Sequence, residues 1–295
     1  MIEENTSTCW DSIDAVIVIN MDSRPDRLRS FMAHTGKYFP DEKLHRVSAV
    51  VGTDVKGYGE APWFSAATGA RSVSWAGTAG CTLSHRRALE MAQQHGWRNV
   101  LILEDDATYI PSEALEKMLP QAMAMLSGPC MLYLGFNRPV PYGHKVAGCI
   151  GAGLWKVEGA MATHAYLVTQ EIYPILLTEL PTEETVWEWI SVYRAVDMFY
   201  RNIVARTAGC RVYALFPVMF RQGVSRSDIA GRVVDGSSYS CPHEPYELVS
   251  LRGFAHALLA PFRSMKMRLN SWYTHRRALK GGFPGYRRPR TDETE

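Results

Sequence analysis

The chain has 295 residues, of which 46% are hydrophobic, so it can bury a sizeable core in one large domain or two closely joined ones. No apolar stretch approaches the roughly 18–20 residues that a membrane span requires, and Glu3 and Glu4 precede any hydrophobic run, unlike in a signal peptide. We therefore expect a cytoplasmic protein. The six cysteines lack the short paired spacings of zinc sites or disulfide frameworks and are predicted to be reduced packing residues.

The first predicted elements are a strand, a polar turn and a short helix. Residues 15–19 are apolar and β-branched, residues 22–27 are polar, and Leu28 begins a helical spacing of apolar side chains. Residues 46–51 predict a second strand. Residues 53–79, rich in Gly, Ala, Ser and Thr, predict a long irregular loop, and loops of that length are often functional.

The rest of the chain alternates helices with strands. Ser84 is the predicted N-cap of a helix that ends at Gly96. Further along we expect a strand at 100–103, a helix at 112–126, strands at 131–134 and 165–168, and a helix at 184–204. This alternation predicts an α/β fold with a mainly parallel sheet.

Three consecutive carboxylates, Glu104, Asp105 and Asp106, follow the apolar strand at 100–103. Open α/β sheets bind ligands at the carboxyl ends of their strands. Adjacent carboxylates repel one another and are costly to desolvate, so this cluster predicts a bound cation. Oxygen ligands favour Mn²⁺ or Mg²⁺. The alternative is a solvated turn whose acids cap the next helix.

Charge is distributed unevenly along the chain. Residues 1–247 carry 22 basic and 27 acidic side chains, whereas residues 248–295 carry 10 basic and 3 acidic ones. This carboxyl-terminal segment alternates bases with apolar and aromatic residues, which predicts peripheral contact with an anionic membrane, at its inner face, where each Lys or Arg contributes roughly 1 kcal/mol. The alternative is a terminal helix docked on the body with its bases in water. No nucleic-acid-binding motif is present, so no nucleic acid partner is expected.

Three motifs follow one another in order: VINMDSRPDR at residues 18–27, GCTLSH at 80–85 and LILEDD at 101–106. With a weaker fourth match at Gln222 and residues 225–229, they resemble glycosyltransferase family 25, which includes lipopolysaccharide-type sugar transferases and collagen galactosyltransferases. The likeness covers most of residues 13–230.

The resemblance implies a GT-A-like fold, in which a Rossmann-type, mostly parallel sheet flanked by helices is merged with an acceptor-binding half. The transferase domain would span residues 1–247, with a nucleotide half at about 13–135 and an acceptor half at about 136–247. The basic segment from residue 248 lies outside the resemblance.

The resemblance also implies roles for the three acids. Asp106 would contact the metal directly, and Glu104 would bind the ribose or a metal ligand water. Asp105 would exchange roles with either of them. Such a cation stabilises the negative charge that grows on a departing diphosphate.

Asn20, Arg24 and Arg27 directly follow the first strand, where a nucleotide would lie in such a sheet. Arginine holds phosphate or stacks on a base, and surface ion pairs with aspartates of the same turn are the alternative. His85, at the predicted start of a helix, would contact the diphosphate, because helix N-termini favour anions. A histidine satisfied by a nearby carbonyl is the alternative.

An inverting transferase needs a carboxylate that accepts the proton of the acceptor hydroxyl. Asp197 is the predicted base, since the family has an acid in a similar late position. An ion pair with Arg194 or Arg201 on one helix is the alternative. Glu188 is a second candidate base.

Three further residues complete the predicted site. His164 is a candidate metal or acceptor contact. Ser227 and Asp228 would bind the donor sugar or acceptor hydroxyls, although a simple turn also explains them.

Together these observations predict a metal-dependent, inverting hexosyltransferase. The expected donor is UDP-galactose, and the expected acceptor is a glycan or glycolipid such as lipopolysaccharide. Two alternatives remain open: a noncatalytic module that binds a nucleotide sugar or a glycan, and a metal-dependent phosphoester hydrolase that uses the same acids.

Overall fold

The computed structural model describes residues 8–227, 232–235 and 239–285. In chain order, the strands are β1 (Ala15–Asn20), β2 (Leu44–Ser48), β3 (Asn99–Glu104), β4 (Ala107–Tyr109), β5 (Cys130–Asn137), β6 (Tyr142–Cys149), β7 (Ala152–Val157), β8 (Met161–Thr169), β9 (Arg211–Phe216), β10 (Phe220–Gln222), β11 (Val224–Ser227), β12 (Arg232–Asp235) and β13 (Tyr246–Glu247). The helices are α1 (Pro25–His34), α2 (Arg71–His95), α3 (Glu113–Met125), α4 (Tyr173–Glu179), α5 (Val186–Tyr193), α6 (Val196–Asn202) and α7 (Leu251–Gly281).

Within the described residues, nine strands form one sheet in the order β13-β6-β7-β9-β5-β8-β3-β1-β2. The strands β2, β1 and β3 are parallel, whereas β8 runs antiparallel between β3 and β5. Every residue of β1 is buried, as in parallel strands that helices cover on both faces. The predicted α/β fold, with a Rossmann-type sheet flanked by helices, is confirmed.

Helices cover both faces of the sheet and divide the core into two apolar clusters. On one face, α2 packs against β1, β2, α4, α5 and α6. On the other face, α1 and α3 bury Phe31, Leu115 and Leu119 with the aromatic residues Trp10 and Phe39. The carboxyl ends of β1 and β3 therefore lie at an edge of the sheet between two helical layers.

Helix α2 is longer than predicted, because it begins at Arg71 and takes in the last part of the expected loop. Ser84 is consequently inside the helix and not at its N-cap. Its Oγ donates to the Gly80 carbonyl at 2.6 Å and accepts the Val50 N–H at 2.8 Å. The run of small residues in this part of α2 hides the helical period in the sequence, and it lets the helix approach the turn after β2 closely.

The predicted helix at 184–204 is two helices, α5 and α6, with a break between them. Arg194 ends α5 with φ +74°, a left-handed conformation that interrupts the helix. Arg194 therefore does not lie on the helix that carries Asp197 and Arg201, so the expected same-helix pairing with Arg194 is wrong.

The basic carboxyl-terminal segment forms α7, which docks on the body. Ser250 caps its start by accepting the Gly253 N–H at 3.1 Å. Beyond its end, Phe283 is fully buried in the apolar cluster of α2. Among the described residues, no helix combines the length and the apolar character that crossing a bilayer requires.

Candidate active site

The predicted acidic cluster lies at the carboxyl ends of two neighbouring parallel strands. Ile19 of β1 pairs with Glu104 of β3, and the Asp105 N–H donates to the Ile19 carbonyl at 3.2 Å. The chain then turns into β4, which pairs with β10 and brings Gln222 beside the turn. Strand pairing thus assembles the acids with residues more than one hundred positions away.

Asp105 is held by two groups that follow β1. Asn20 Nδ2 donates to Asp105 Oδ2 at 2.7 Å, and the Arg27 guanidinium forms an ion pair with Asp105 Oδ1. Arg46 Nε donates to Asn20 Oδ1 at 3.1 Å, which fixes the orientation of that amide. Burial raises the pKa of Asp105, and the charge of Arg27 acts against that shift. Asn20 and Arg27 therefore lie in the site, as predicted from their place after the strand.

Asp106 shares the Arg27 guanidinium with Asp105. Arg27 Nη2 lies 3.2 Å from Asp106 Oδ2, and Gln222 Nε2 lies 3.4 Å from the same oxygen. Burial, followed by the charge of Glu104, raises the pKa of Asp106 to about 7 even though Arg27 lowers it. The site thus holds more buried acid than this guanidinium neutralises, which is the environment of a cation-binding carboxylate.

Glu104 faces a different set of partners. Thr163 Oγ1 donates to Glu104 Oε1 at 2.8 Å, and His85 Nε2 lies 3.5 Å from that oxygen. Burial acts to raise the pKa of Glu104, but the close contact and the charge of His85, together with the Thr163 bond, outweigh it and lower the pKa to about 2. Glu104 is therefore the ionised member of the cluster at neutral pH.

His85 reaches the acids from the middle of α2, and not from a helix start as predicted. Its Nδ1 lies 2.9 Å from the Tyr166 hydroxyl, a contact that orients Nε2 toward Glu104. The ring is buried, and Nε2 has no hydrogen-bond partner of good geometry in the described part of the chain. The helix-terminus argument for diphosphate binding does not apply, and His85 is instead placed to contact a group bound at Glu104.

Cys81 belongs to the same cluster, which sequence reasoning missed. One ligand atom each from Cys81, His85 and Glu104 lie within 4.8 Å of one another. Burial, and then the charges of Glu104, Asp197 and Asp106, raise the pKa of the Cys81 thiol well above its ordinary value. The spacing of four residues between Cys81 and His85 puts both on one helix face, and it was the available signal.

Asp197 lies in the first turn of α6 within electrostatic reach of Glu104. Its Oδ1 accepts the Met198 N–H at 2.7 Å, and the Ala162 N–H also donates to it. Ala162 has φ +76°, a strained conformation for a residue with a side chain. Burial raises the pKa of Asp197, and the charge of Glu104 adds to the shift. A buried carboxyl with a raised pKa suits a general base.

The other predicted residues differ in their placement. His164 is buried with its Nε2 3.3 Å from the Phe220 carbonyl, and burial lowers its pKa. Arg24 forms an ion pair with Asp26 at 3.0 Å. Glu188 is exposed on α5.

The fourth motif falls partly beyond the described structure. Ser227 ends β11, which pairs with β12. Asp228 lies outside the described residues. Their predicted contacts with the donor sugar or the acceptor remain predictions.

The donor set fits a divalent cation. The carboxylates of Glu104 and Asp106 supply the hard oxygen ligands that Mn²⁺ and Mg²⁺ prefer. The unpartnered His85 Nε2 adds a nitrogen at the same place. We therefore regard Asp106, Glu104 and His85 as the residues that would hold the ion.

No protein-family model matches the chain, and no curated protein matches it either. Two solved structures are similar to it in part. Mannose-1-phosphate geranyltransferase from Thermus thermophilus is 10% identical over 70% of this chain and 74% of its own, with a TM-score of 0.38. A197 from STIV is 12% identical over 78% of this chain and 95% of its own, with a TM-score of 0.36. The resemblance to glycosyltransferase family 25 remains a prediction from the sequence.

Proposed function

We propose that this protein is a glycosyltransferase that uses a divalent cation to transfer a hexose from a nucleoside diphosphate sugar. The observation that carries the proposal is the acidic cluster at the ends of β1 and β3, where burial and Glu104 raise the pKa of Asp106 to about 7. A carboxylate in that environment gains most from a bound cation. The sequence motifs favour galactose from UDP-galactose as the donor group and a glycan or glycolipid such as lipopolysaccharide as the acceptor.

A bound Mn²⁺ or Mg²⁺ supplies a Lewis acid that neutralises the charge on the leaving diphosphate. Asp106 and Glu104 hold the ion in this proposal. Asn20 fixes Asp105, and Arg27, which contacts both aspartates, is placed to pair with a phosphate oxygen. These contacts orient the donor so that its anomeric carbon faces the acceptor.

Asp197 accepts the proton of the acceptor hydroxyl as the new glycosidic bond forms. Its burial favours a proton-accepting carboxylate of raised pKa, and the Ala162 and Met198 N–H groups hold it in place. A base that activates the acceptor directly gives inversion at the anomeric carbon. Glu188, exposed on α5, is the competing candidate.

The first test measures Mn²⁺-dependent release of UDP from UDP-hexoses with and without a glycolipid acceptor. Asp106→Ala is expected to remain folded and to lose metal-dependent release by about 100-fold or more. Asp41→Ala, which removes an exposed carboxylate, is the matched control and keeps the wild-type rate. An unchanged rate in Asp106→Ala would remove that residue from the metal site.

A second pair of variants separates the two candidate bases. Asp197→Asn is expected to lower transfer by about 100-fold or more while donor binding, measured by calorimetry, is retained. Glu188→Gln should transfer at the wild-type rate. The reverse result would assign the base to Glu188.

The same preparation distinguishes the two other functional classes. Slow, Mn²⁺-dependent hydrolysis of the donor without acceptor is expected of a transferase and not of a noncatalytic binding module. Turnover of simple phosphoesters without transfer of a sugar would indicate a phosphoester hydrolase.

A further inference from the structure

One face of α7 attaches the helix to the body through mostly small side chains. His256 Nε2 lies 2.8 Å from Glu158 Oε2, and Arg206 Nη1 donates to Ser264 Oγ at 3.2 Å. The inward positions recur every three or four residues and are buried or half-buried: Gly253, His256, Ala260, Ser264, Met267, Ser271, Thr274 and Ala278. This face alone accounts for the docking of α7.

The opposite face of α7 is apolar and exposed. Six large side chains recur there, also every three or four residues, and are between 55% and 67% exposed: Phe254, Leu258, Phe262, Met265, Leu269 and Trp272. We call these six residues the outer stripe. A helix on a protein surface ordinarily turns polar residues outward, and a contiguous apolar stripe marks an interaction site.

Charge identifies the kind of partner. Residues 251–281 contain seven Lys or Arg and no Asp or Glu. Several of these bases flank the outer stripe, among them Arg263, Lys266 and Arg268, and all three are exposed. Apolar and aromatic residues bordered by bases are the pattern of a helix that lies in the headgroup region of an anionic bilayer.

We propose that the outer stripe of α7 docks the protein on a membrane rich in anionic phospholipids, with the helix parallel to the bilayer surface. A second copy of the chain fits this face less well. A two-fold contact would bring like-charged helices together without an acid on either one. Crossing the bilayer is also disfavoured, since the inward face of α7 is committed to the body.

Both ends of α7 are fixed to the body, so the bilayer would hold the whole protein in one orientation. At the start, Ser250 caps the helix and β13 joins the sheet beside β6. Near the end, His275 Nδ1 lies 2.7 Å from Ser191 Oγ of α5. Lipid docking uses the outer stripe alone and does not depend on transferase activity.

The experiment measures flotation of the full chain with vesicles of phosphatidylcholine alone and of phosphatidylcholine mixed with phosphatidylglycerol. Wild-type protein should bind the anionic vesicles at least about tenfold more strongly, and added salt should weaken that binding. Equal affinity for both vesicle types, or no binding to either, would overturn the proposal.

Two variants test the two components of the surface. Phe262→Ser with Leu269→Ser removes part of the outer stripe, and Arg263→Glu with Lys266→Glu reverses two flanking charges. Each double variant should lose about tenfold or more in affinity for anionic vesicles while keeping its melting temperature, because the altered side chains are exposed. Wild-type binding in both would contradict the proposal.

Matched controls lie on other surfaces of the protein. Ile150→Ser with Met125→Ser removes two exposed apolar side chains, and Lys56→Glu with Arg98→Glu reverses two exposed bases. Both should bind vesicles as the wild type does. Light scattering supplies a further criterion: a dimer that the outer-stripe variant converts to a monomer, without vesicle binding by the wild type, would assign the surface to a second copy of the chain.

Discussion

At the residue scale, Asp106 combines burial with two acidic neighbours, and this makes the stability of the cation-free protein depend on pH. Its pKa in the folded protein is about 7, against 3.8 for an ordinary aspartate. Below the lower value both states are protonated, and the carboxyl has no effect. As pH rises toward 7, the unfolded chain loses the proton first, so folding becomes less favourable, by up to about 4 kcal/mol when both states are ionised.

Asp106→Asn should therefore raise the free energy of unfolding at pH 8 by about 2–4 kcal/mol and change it little at pH 4. Urea denaturation in the presence of a chelator measures both values. Asp41→Asn, at an exposed position, should shift stability by no more than about 0.5 kcal/mol at either pH. An equal effect of Asp106→Asn at the two pH values would show that ionisation of this carboxyl is not responsible.

The sequence places the acids correctly, because an apolar strand followed by carboxylates is a local pattern. It does not reveal what they contact. Thr163 reaches Glu104, and the Ala162 N–H reaches Asp197, where the pairing of β5 with β8 is irregular. Such an irregularity depends on how the two strands meet and has no signature in either segment.

At the element scale, α2 can lie close to the turn after β2 only because both carry glycine. A Cβ at Gly80 would lie 2.4 Å from the Val50 carbonyl oxygen, and one at Gly52 would lie 1.7 Å from the Ala76 carbonyl oxygen. These are backbone atoms, which cannot rotate away. The contact helps position His85, one turn and a residue further along the helix, beside Glu104.

Gly80→Ala should destabilise the protein by about 1–3 kcal/mol, although alanine is the better helix former by about 1 kcal/mol, since overpacking against the Val50 carbonyl outweighs helix propensity. Thermal unfolding measures the change. Gly281→Ala is the control, because a Cβ there meets nothing within 4 Å. An increase in melting temperature for Gly80→Ala would show that the turn after β2 moves aside at little cost.

The same contact explains which elements the sequence predicts. Strands β1 and β3 have uninterrupted apolar runs, and both are found where expected. The first half of α2 is built from Gly, Ala, Ser and Thr, whose low apolar contrast gives no helical period. Its helical state depends on tertiary packing, which a local pattern does not contain.

At the scale of the whole molecule, the segment after α7 joins the carboxyl terminus of the described chain to the amino-terminal half. Phe283 is fully buried and stacks on Trp75 of α2 with ring centroids 4.5 Å apart. Its N–H donates to the Trp63 carbonyl at 2.6 Å, and its carbonyl accepts the Thr68 hydroxyl at 2.9 Å. The loop between β2 and α2 is therefore held in place by residues more than two hundred positions away.

Phe283→Ala should lower the free energy of unfolding by about 3–4 kcal/mol, since it leaves a cavity among Trp63, Phe64 and Trp75. Hydrogen exchange should show that the loop at 53–70 and the last turns of α7 lose amide protection together, because one side chain supports both. Phe254→Ala, at an exposed position on the same helix, should change stability by no more than about 0.5 kcal/mol. Loss of protection in α7 alone would show that the loop is held by the rest of the core, and that this terminal contact does not join the two halves of the molecule.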